Sequence, residues 1–177
     1  MKKVLKPGIF DLFHVGHLNS IKEASEHGDY LIVAVQDDRE VLMSKGEPPI
    51  VPLHQRIEIL TALKYVDEVV SYRNSNLSSM LDFLSVDALC VGEDYGKDHQ
   101  FPNQALTVEY CKKNNIKIIK TERTNGISSS SIKKNVSKFW KSRKKEKSKP
   151  IESSTMLGSY GGDKQKLEAE TKEEVNF

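Results

Sequence analysis

The chain has 177 residues, with 27 Lys and Arg against 25 Asp and Glu, so its formal charge is +2. Hydrophobic residues make up 37% and charged ones 29%, a balance that supports one packed domain and excludes the protein-wide basic field of a nucleic-acid binder. The start of the chain lacks an apolar run of signal-peptide length, and no later stretch approaches the ~20 apolar residues of a membrane span, so the expectation is a cytoplasmic protein without an integral membrane segment.

Val4 to Ile9 opens a series of apolar runs of strand length. Leu18, Ile21 and Ala24 then recur at helical spacing, and Gly28 stands where a helix would end in a left-handed residue. Leu31 to Val35 is the next strand, which completes a β-α-β unit. Ser44 to Pro49 must leave regular structure, because Gly46, Pro48 and Pro49 forbid its continuation. Pro52 suits the first turn of a helix with Ile57, Leu60 and Leu63 as its stripe. Strands follow at Glu68 to Tyr72 and Ala88 to Val91, a helix at Gln104 to Asn114, a strand at Lys117 to Lys120, and a last helix from about Ser131 to Trp140.

Continuous rather than alternating apolarity marks strands covered on both faces, so the fold class is α/β, a Rossmann-like doubly wound parallel sheet. Cys90 and Cys111, far apart and outside any CxxC pattern, read as buried, inert thiols. Beyond Trp140 the composition changes: Lys141 to Lys149 holds six basic residues and one acid, and Ile151 to Phe177 three Lys against six acids. Both stretches are poor in large apolar residues, which predicts one domain over 1–140 and a charged, disordered tail over 141–177.

Two segments carry chemistry. Gly8 to His17 follows the first strand and places His14 and His17 three residues apart, on one face of a helix start. Gly8 and Gly16 let the backbone approach a ligand closely, and a helix N-terminus with unpaired N–H groups suits phosphate. Arg123 to Ser131, between the last strand and the last helix, repeats the device: Arg123 offers a planar fork for phosphate oxygens, and Ser128 or Ser129 a hydroxyl that caps the helix or bonds to phosphate. In a parallel sheet both lie at the carboxyl ends of strands, where open α/β sheets bind ligands. A zinc site is the weaker reading of the histidine pair, since zinc takes three or four protein ligands. Asp11 reads as structural, holding its loop through backbone hydrogen bonds, and Asp38 and Asp67 are similar cases.

Together, Gly8 to His17 and Arg123 to Ser130 resemble the nucleotidyltransferase superfamily of the cytidylyltransferase type, most of all its glycerol-3-phosphate cytidylyltransferases. Gly28 to Val35, Tyr65 to Val70 and Val91 to Asp94 extend the likeness over nearly all of residues 1–138. The resemblance implies a nucleotidyltransferase fold and transfer of a cytidylyl group from CTP to a phosphorylated alcohol such as glycerol 3-phosphate. On that likeness pyrophosphate would leave by in-line displacement, with Mg²⁺ bound mainly through the triphosphate. It further implies that His14 and His17 donate to phosphate oxygens, that Lys45 reaches the triphosphate, and that Arg123, Ser128 and Ser129 hold its outer phosphates. Gly8, Ile9, Phe10, Gly16, Gly126 and Ile127 would line the nucleotide and Asp94 would face its ribose or base. Lys64 would lie near the acceptor phosphate, where the family has an arginine, with Arg56 as a second basic candidate. A homodimer with the first motif near its interface is also implied.

Two alternatives stand beside this reading. An adenylyltransferase acting on a sugar phosphate of the heptose 1-phosphate type, or on a flavin nucleotide, shares the first motif. A non-catalytic nucleotide sensor using the tail to bind a partner is disfavoured by the presence of both histidines.

Overall fold

The strands and helices alternate along the chain as β1 (Lys3–Gly8), α1 (Val15–Ser25), β2 (Tyr30–Gln36), α2 (Asp38–Lys45), α3 (Leu53–Thr61), β3 (Glu68–Tyr72), α4 (Leu77–Phe83), β4 (Ala88–Gly92), α5 (Pro102–Lys113), β5 (Lys117–Thr121) and α6 (Ser129–Lys147). The structure, a computed structural model, describes residues 1–73, 77–96 and 102–147. It divides into two units, Met1–Phe139 and Trp140–Phe177, and of the second only the helical residues 140–147 are described.

All five strands join one parallel sheet in the order β3-β2-β1-β4-β5. Side chains alternate between its faces because the strand period is two. Val4, Leu31, Val33, Val35 and Cys90 point to one face and pack with Ile21 and Ala24 of α1 and Leu60 of α3. Leu5, Ile32, Ala34, Leu89 and Val91 point to the other and pack with Leu77 and Leu81 of α4 and Cys111 of α5. Helices therefore cover both faces and the sheet is doubly wound, as its continuous apolarity predicts. Its strand order reverses between β1 and β4, the crevice where such sheets bind ligands. Both cysteines are free and buried, one in each layer, and burial pushes each thiol up to about 11.

Two helices lie outside the sequence reading. α2 carries its apolar residues Val41, Leu42 and Met43 in succession, without a helical stripe, and is fixed at its ends instead: Asp37 accepts the Arg39 N–H at 2.8 Å, and Gly46, at φ 78°, donates to Leu42 O at 2.9 Å. α4 spans only seven residues, too few for a repeating pattern. The reading of Gly28 is also corrected. Helix α1 ends at Glu26 in an ordinary right-handed conformation, and Gly28 is needed for closeness, since a Cβ there would stand 2.6 Å from Val4 Cγ2 and 2.7 Å from Lys2 O. Helix α6 runs past Trp140 to Lys147. Lys and Arg are good helix formers that favour a helix C-terminus, so the basic run to Lys147 prolongs the helix, and the expected disordered tail falls, from 148 on, outside the described residues.

Candidate active site

Beyond β1 the chain makes a tight loop in which Phe10 (φ 57°) and Leu12 (φ 50°) take the left-handed region without being glycine. Such residues cost roughly 1–3 kcal/mol each and persist only where the surroundings over-determine them. Here they do. Phe10 is buried, its ring filling the space a Cβ on Gly8 would enter at 2.8 Å. Asp11, also buried, accepts the Val51 N–H at 2.9 Å, the backbone-holding role its sequence position suggests.

Arg56 is the strut behind this loop, and here the expectation of an acceptor-binding guanidinium is corrected. Its side chain has no exposed surface. It donates to Val51 O and Gln36 O, both at 2.9 Å, and to Ile9 O, and pairs with Asp38. A guanidinium brings five N–H donors in a fixed fork, and this one uses four of them to tie the first loop to the end of β2, the start of α2 and the residues before α3.

His14 and His17 share a face, as their spacing predicts, with stacked rings 3.9 Å apart. His14 Nδ1 accepts the Gly16 N–H at 3.1 Å, so the neutral ring carries its proton on Nε2; burial lowers its pKa. His17 lies against Phe10 and Phe13, and its Nδ1 is buried with no partner among the described residues. Burial, and then the neighbouring His14, pull its pKa down from 6.5 to about 4. A His held neutral in this way contributes stability that is full above pH 6.5 and drains away between there and pH 4.

The second segment arrives from β5. Ser128 Oγ accepts the Ser131 N–H at 3.1 Å and starts α6, while Ser129 Oγ donates to Asp11 O at 2.7 Å. Of the two serines, one caps and the other bolts the motifs together. Asn19 on α1 donates to Thr124 at 3.1 Å, and Ile127 lies 3.4 Å from where a Gly16 Cβ would be.

Three adjoining cavities result. A cleft of ≈ 690 Å³ is lined by His14, Gly16, His17, Arg123, Gly126, Ile127, Ser128 and Ser129 together with Ser20 and Thr121. A second cavity of ≈ 400 Å³ is lined by Ile9, Phe10, His17, Lys45 and Ser129 with Val41, Pro48 and Pro49. A hollow of ≈ 310 Å³ holds Asp94 and Arg123, again with Lys45; the two ions stand 4.0 Å apart, both largely exposed. Lys45, read as a loop residue, is the last residue of α2.

One expected residue lies elsewhere. Lys64 sits in the turn before β3, its ammonium over the Tyr65 ring at 5.1 Å. That turn is at the amino ends of the strands, since Asp67 N–H donates to Leu31 O. The whole sheet separates Lys64 from the histidines, which corrects its assignment to the acceptor. Conversely, Lys6 and Lys133 escaped the sequence reading. Lys6 is buried in β1 and donates to Thr121 Oγ1, under the floor of the cleft, at 3.0 Å. Lys133 lines the second cavity, four residues after Ser129; inside a lysine-rich helix only that helical phase marks it.

The cytidylyltransferase-like family model matches residues 5–135. The chain belongs to this family. An FAD synthase of Thermococcus sibiricus is 40% identical over 113 residues, 63% of this chain and 74% of that one; the FAD synthase of Pyrococcus abyssi is 41% identical, over 54% and 66%. An ethanolamine-phosphate cytidylyltransferase of Dictyostelium discoideum is 43% identical over 52% of this chain but 26% of its own length. The match to the Pyrococcus protein thus spans just under two thirds of that relative, and the match to the Dictyostelium protein about a quarter. Among solved structures, the lipopolysaccharide core biosynthesis protein of Thermoplasma volcanium superposes with a TM-score of 0.59 at 25% identity, covering 71% of this chain and 99% of that one. Among the described residues no helix is long and apolar enough to cross a membrane.

Proposed function

We propose that this protein transfers a nucleotidyl group from a nucleoside triphosphate to the phosphate of an acceptor. An acceptor phosphate oxygen attacks the α-phosphorus, the new P–O bond forms as the bond to the bridging oxygen of the β-phosphate breaks, and pyrophosphate leaves. The observation that carries this reading is the place of His17, which lines both the cleft bounded by Arg123 to Ser131 and the cavity bounded by Ile9, Phe10 and Lys45. Two anionic reactants meeting in line need donors at their junction, and neutral imidazoles with an N–H to give supply them.

On this reading Arg123 and Ser128 hold the outer phosphates, and His14 and His17 donate to the oxygens around the α-phosphorus. Lys45 offsets charge as it develops, and Asp94 faces the nucleoside. Mg²⁺ fits as an ion carried in on the triphosphate, for it keeps several waters and asks for one or two carboxylates, and Glu122 in the cleft is available. When bound it would neutralise triphosphate charge. A homodimer remains our expectation, tested by sedimentation of the full chain.

The acceptor we place first is flavin mononucleotide, with ATP as donor. FAD is the adenylylated form of that acceptor, and the similarity to archaeal FAD synthases supports the pair. The apolar lining of the second cavity by Phe10, Val41, Pro48 and Pro49 suits a flat ring system. CTP with a small phosphorylated alcohol is the second reading, supported by the likeness to ethanolamine-phosphate cytidylyltransferases, with glycerol 3-phosphate as its polyol candidate. Incubating the full chain with Mg²⁺ and either ATP or CTP, against flavin mononucleotide, glycerol 3-phosphate and phosphoethanolamine, decides between them by mass spectrometry. FAD supports the first reading and a CDP-alcohol the second. Absence of any nucleotidylated product from every pair would contradict both.

A further inference from the structure

Lys133 projects from the second turn of α6 into the cavity that opens on His17. Its ammonium stands 3.0 Å from Glu47 Oε1 and 3.5 Å from Asp11 Oδ2. We infer that Lys133 receives the acceptor's phosphate, and that Glu47 is a stand-in for that phosphate which the incoming substrate displaces. The inference rests on the transfer reading above and names the anion-binding residue on its acceptor side.

The two carboxylates around Lys133 are unequal. Asp11 is 7% exposed and anchored by the Val51 N–H, so it stays. Glu47 is 67% exposed and follows Gly46, which breaks the helix with a positive φ; Lys133 is the partner its carboxylate has among the bonds described. An exposed ion pair of this kind contributes little to stability, so releasing Glu47 to water costs little. A phosphate carries up to two charges against its one and forms strong charge-assisted hydrogen bonds with an ammonium. Lys133 keeps donors for both Asp11 and the newcomer, since an ammonium has three.

Charge balance favours the same exchange. Lys45, Lys133, Asp11 and Glu47 make the charged lining of this cavity neutral in sum. Turning Glu47 outward leaves a net positive cavity beside His17, matched to an anion about to react. Asp11 then fixes where the Lys133 ammonium sits, which gives that buried carboxylate a use beyond its loop.

The test uses the full chain with Lys133→Met and Glu47→Gln. With whichever acceptor supports turnover, Lys133→Met raises acceptor KM about tenfold or more and leaves kcat within about threefold and nucleotide KM unchanged. Glu47→Gln lowers acceptor KM, because the competing carboxylate is gone. A latch that merely holds the 46–51 loop would raise KM in both variants, and that result overturns the inference. Independently, inorganic phosphate is titrated against each protein by NMR at the Val51 amide: tighter binding by Glu47→Gln and weaker by Lys133→Met support the exchange, and equal affinities refute it. The phosphate titration stands even if no nucleotide and acceptor pair turns over, an outcome that would count against the transfer reading alone. Should Lys133→Met fold poorly, Lys133→Gln replaces it; a gain of affinity in Glu47→Gln has no origin in misfolding.

Discussion

The amino and carboxyl ends of the sheet are built on opposite principles. At the amino end an aspartate stands one residue before each of three strands and takes a backbone N–H from a neighbour: Asp29 from Lys2, Asp67 from Leu31 and Asp87 from Lys3, each at 2.7 Å. Left-handed residues there close helices in the ordinary way, with Ser85 and Asn115 followed by Val86 N–H donating to Leu81 O at 3.0 Å and Ile116 N–H to Cys111 O at 2.9 Å. At the carboxyl end, left-handed Phe10 and Leu12 hold open a loop, His17 keeps a buried nitrogen without a partner among the described residues, and cavities adjoin. One end satisfies its polar groups internally. The other leaves donors for a guest, which is where a fold stores function rather than stability.

Substitutions at the two ends separate these roles. The largest effect is expected from His17→Asn, which lowers kcat about 10²–10³-fold, as loss of one donor to a transition-state oxyanion does, while thermal denaturation stays close to that of the wild type. Arg123→Ala, at a side chain 84% exposed, raises nucleotide KM roughly tenfold in steady-state kinetics, again without loss of stability. At the amino end the pattern inverts. Asp67→Ala removes the acceptor of the Leu31 N–H and costs about 1–3 kcal/mol by denaturant unfolding, with kcat/KM unchanged. Lys64→Ala, on the exposed turn beside it, shifts stability by less than about 0.5 kcal/mol and leaves turnover alone; a fall in acceptor affinity would restore Lys64 to the site and break the distinction between the ends.

Strands were the legible part of this sequence because apolar runs such as Leu31 to Val35 have no exposed face to interrupt them. Helices α1 and α3 were legible through their stripes; α2 and α4 were not, one held by its caps and the other too short for a period. The histidine pair and the Arg123 to Ser131 segment announced the phosphate site because glycines and helix starts are local signals. Arg56 and Lys64 misled for a shared reason: a basic residue in sequence carries its charge but not its direction. Arg56 turns inward because carbonyls from three separate segments converge on it, and Lys64 lies on the wrong edge because its turn leads into a strand rather than out of one. Lys6 and Lys133 were invisible for the converse reason, since their importance lies in partners 115 and 86 residues away along the chain.

Whether the carboxyl end is built to receive a polyanion is read from the titration of His17, followed by NMR, since this residue lines both the cleft and the adjoining cavity. In the free protein His17 should titrate near 4, held down by burial and by His14. A bound triphosphate places negative charge beside the ring and favours the imidazolium, so the His17 pKa is expected to rise by more than one with ATP or CTP present, accompanied by proton uptake between pH 4 and 6.5. A His17 that titrates at the same pH with and without saturating nucleotide would mean that no phosphate charge comes to rest beside its ring.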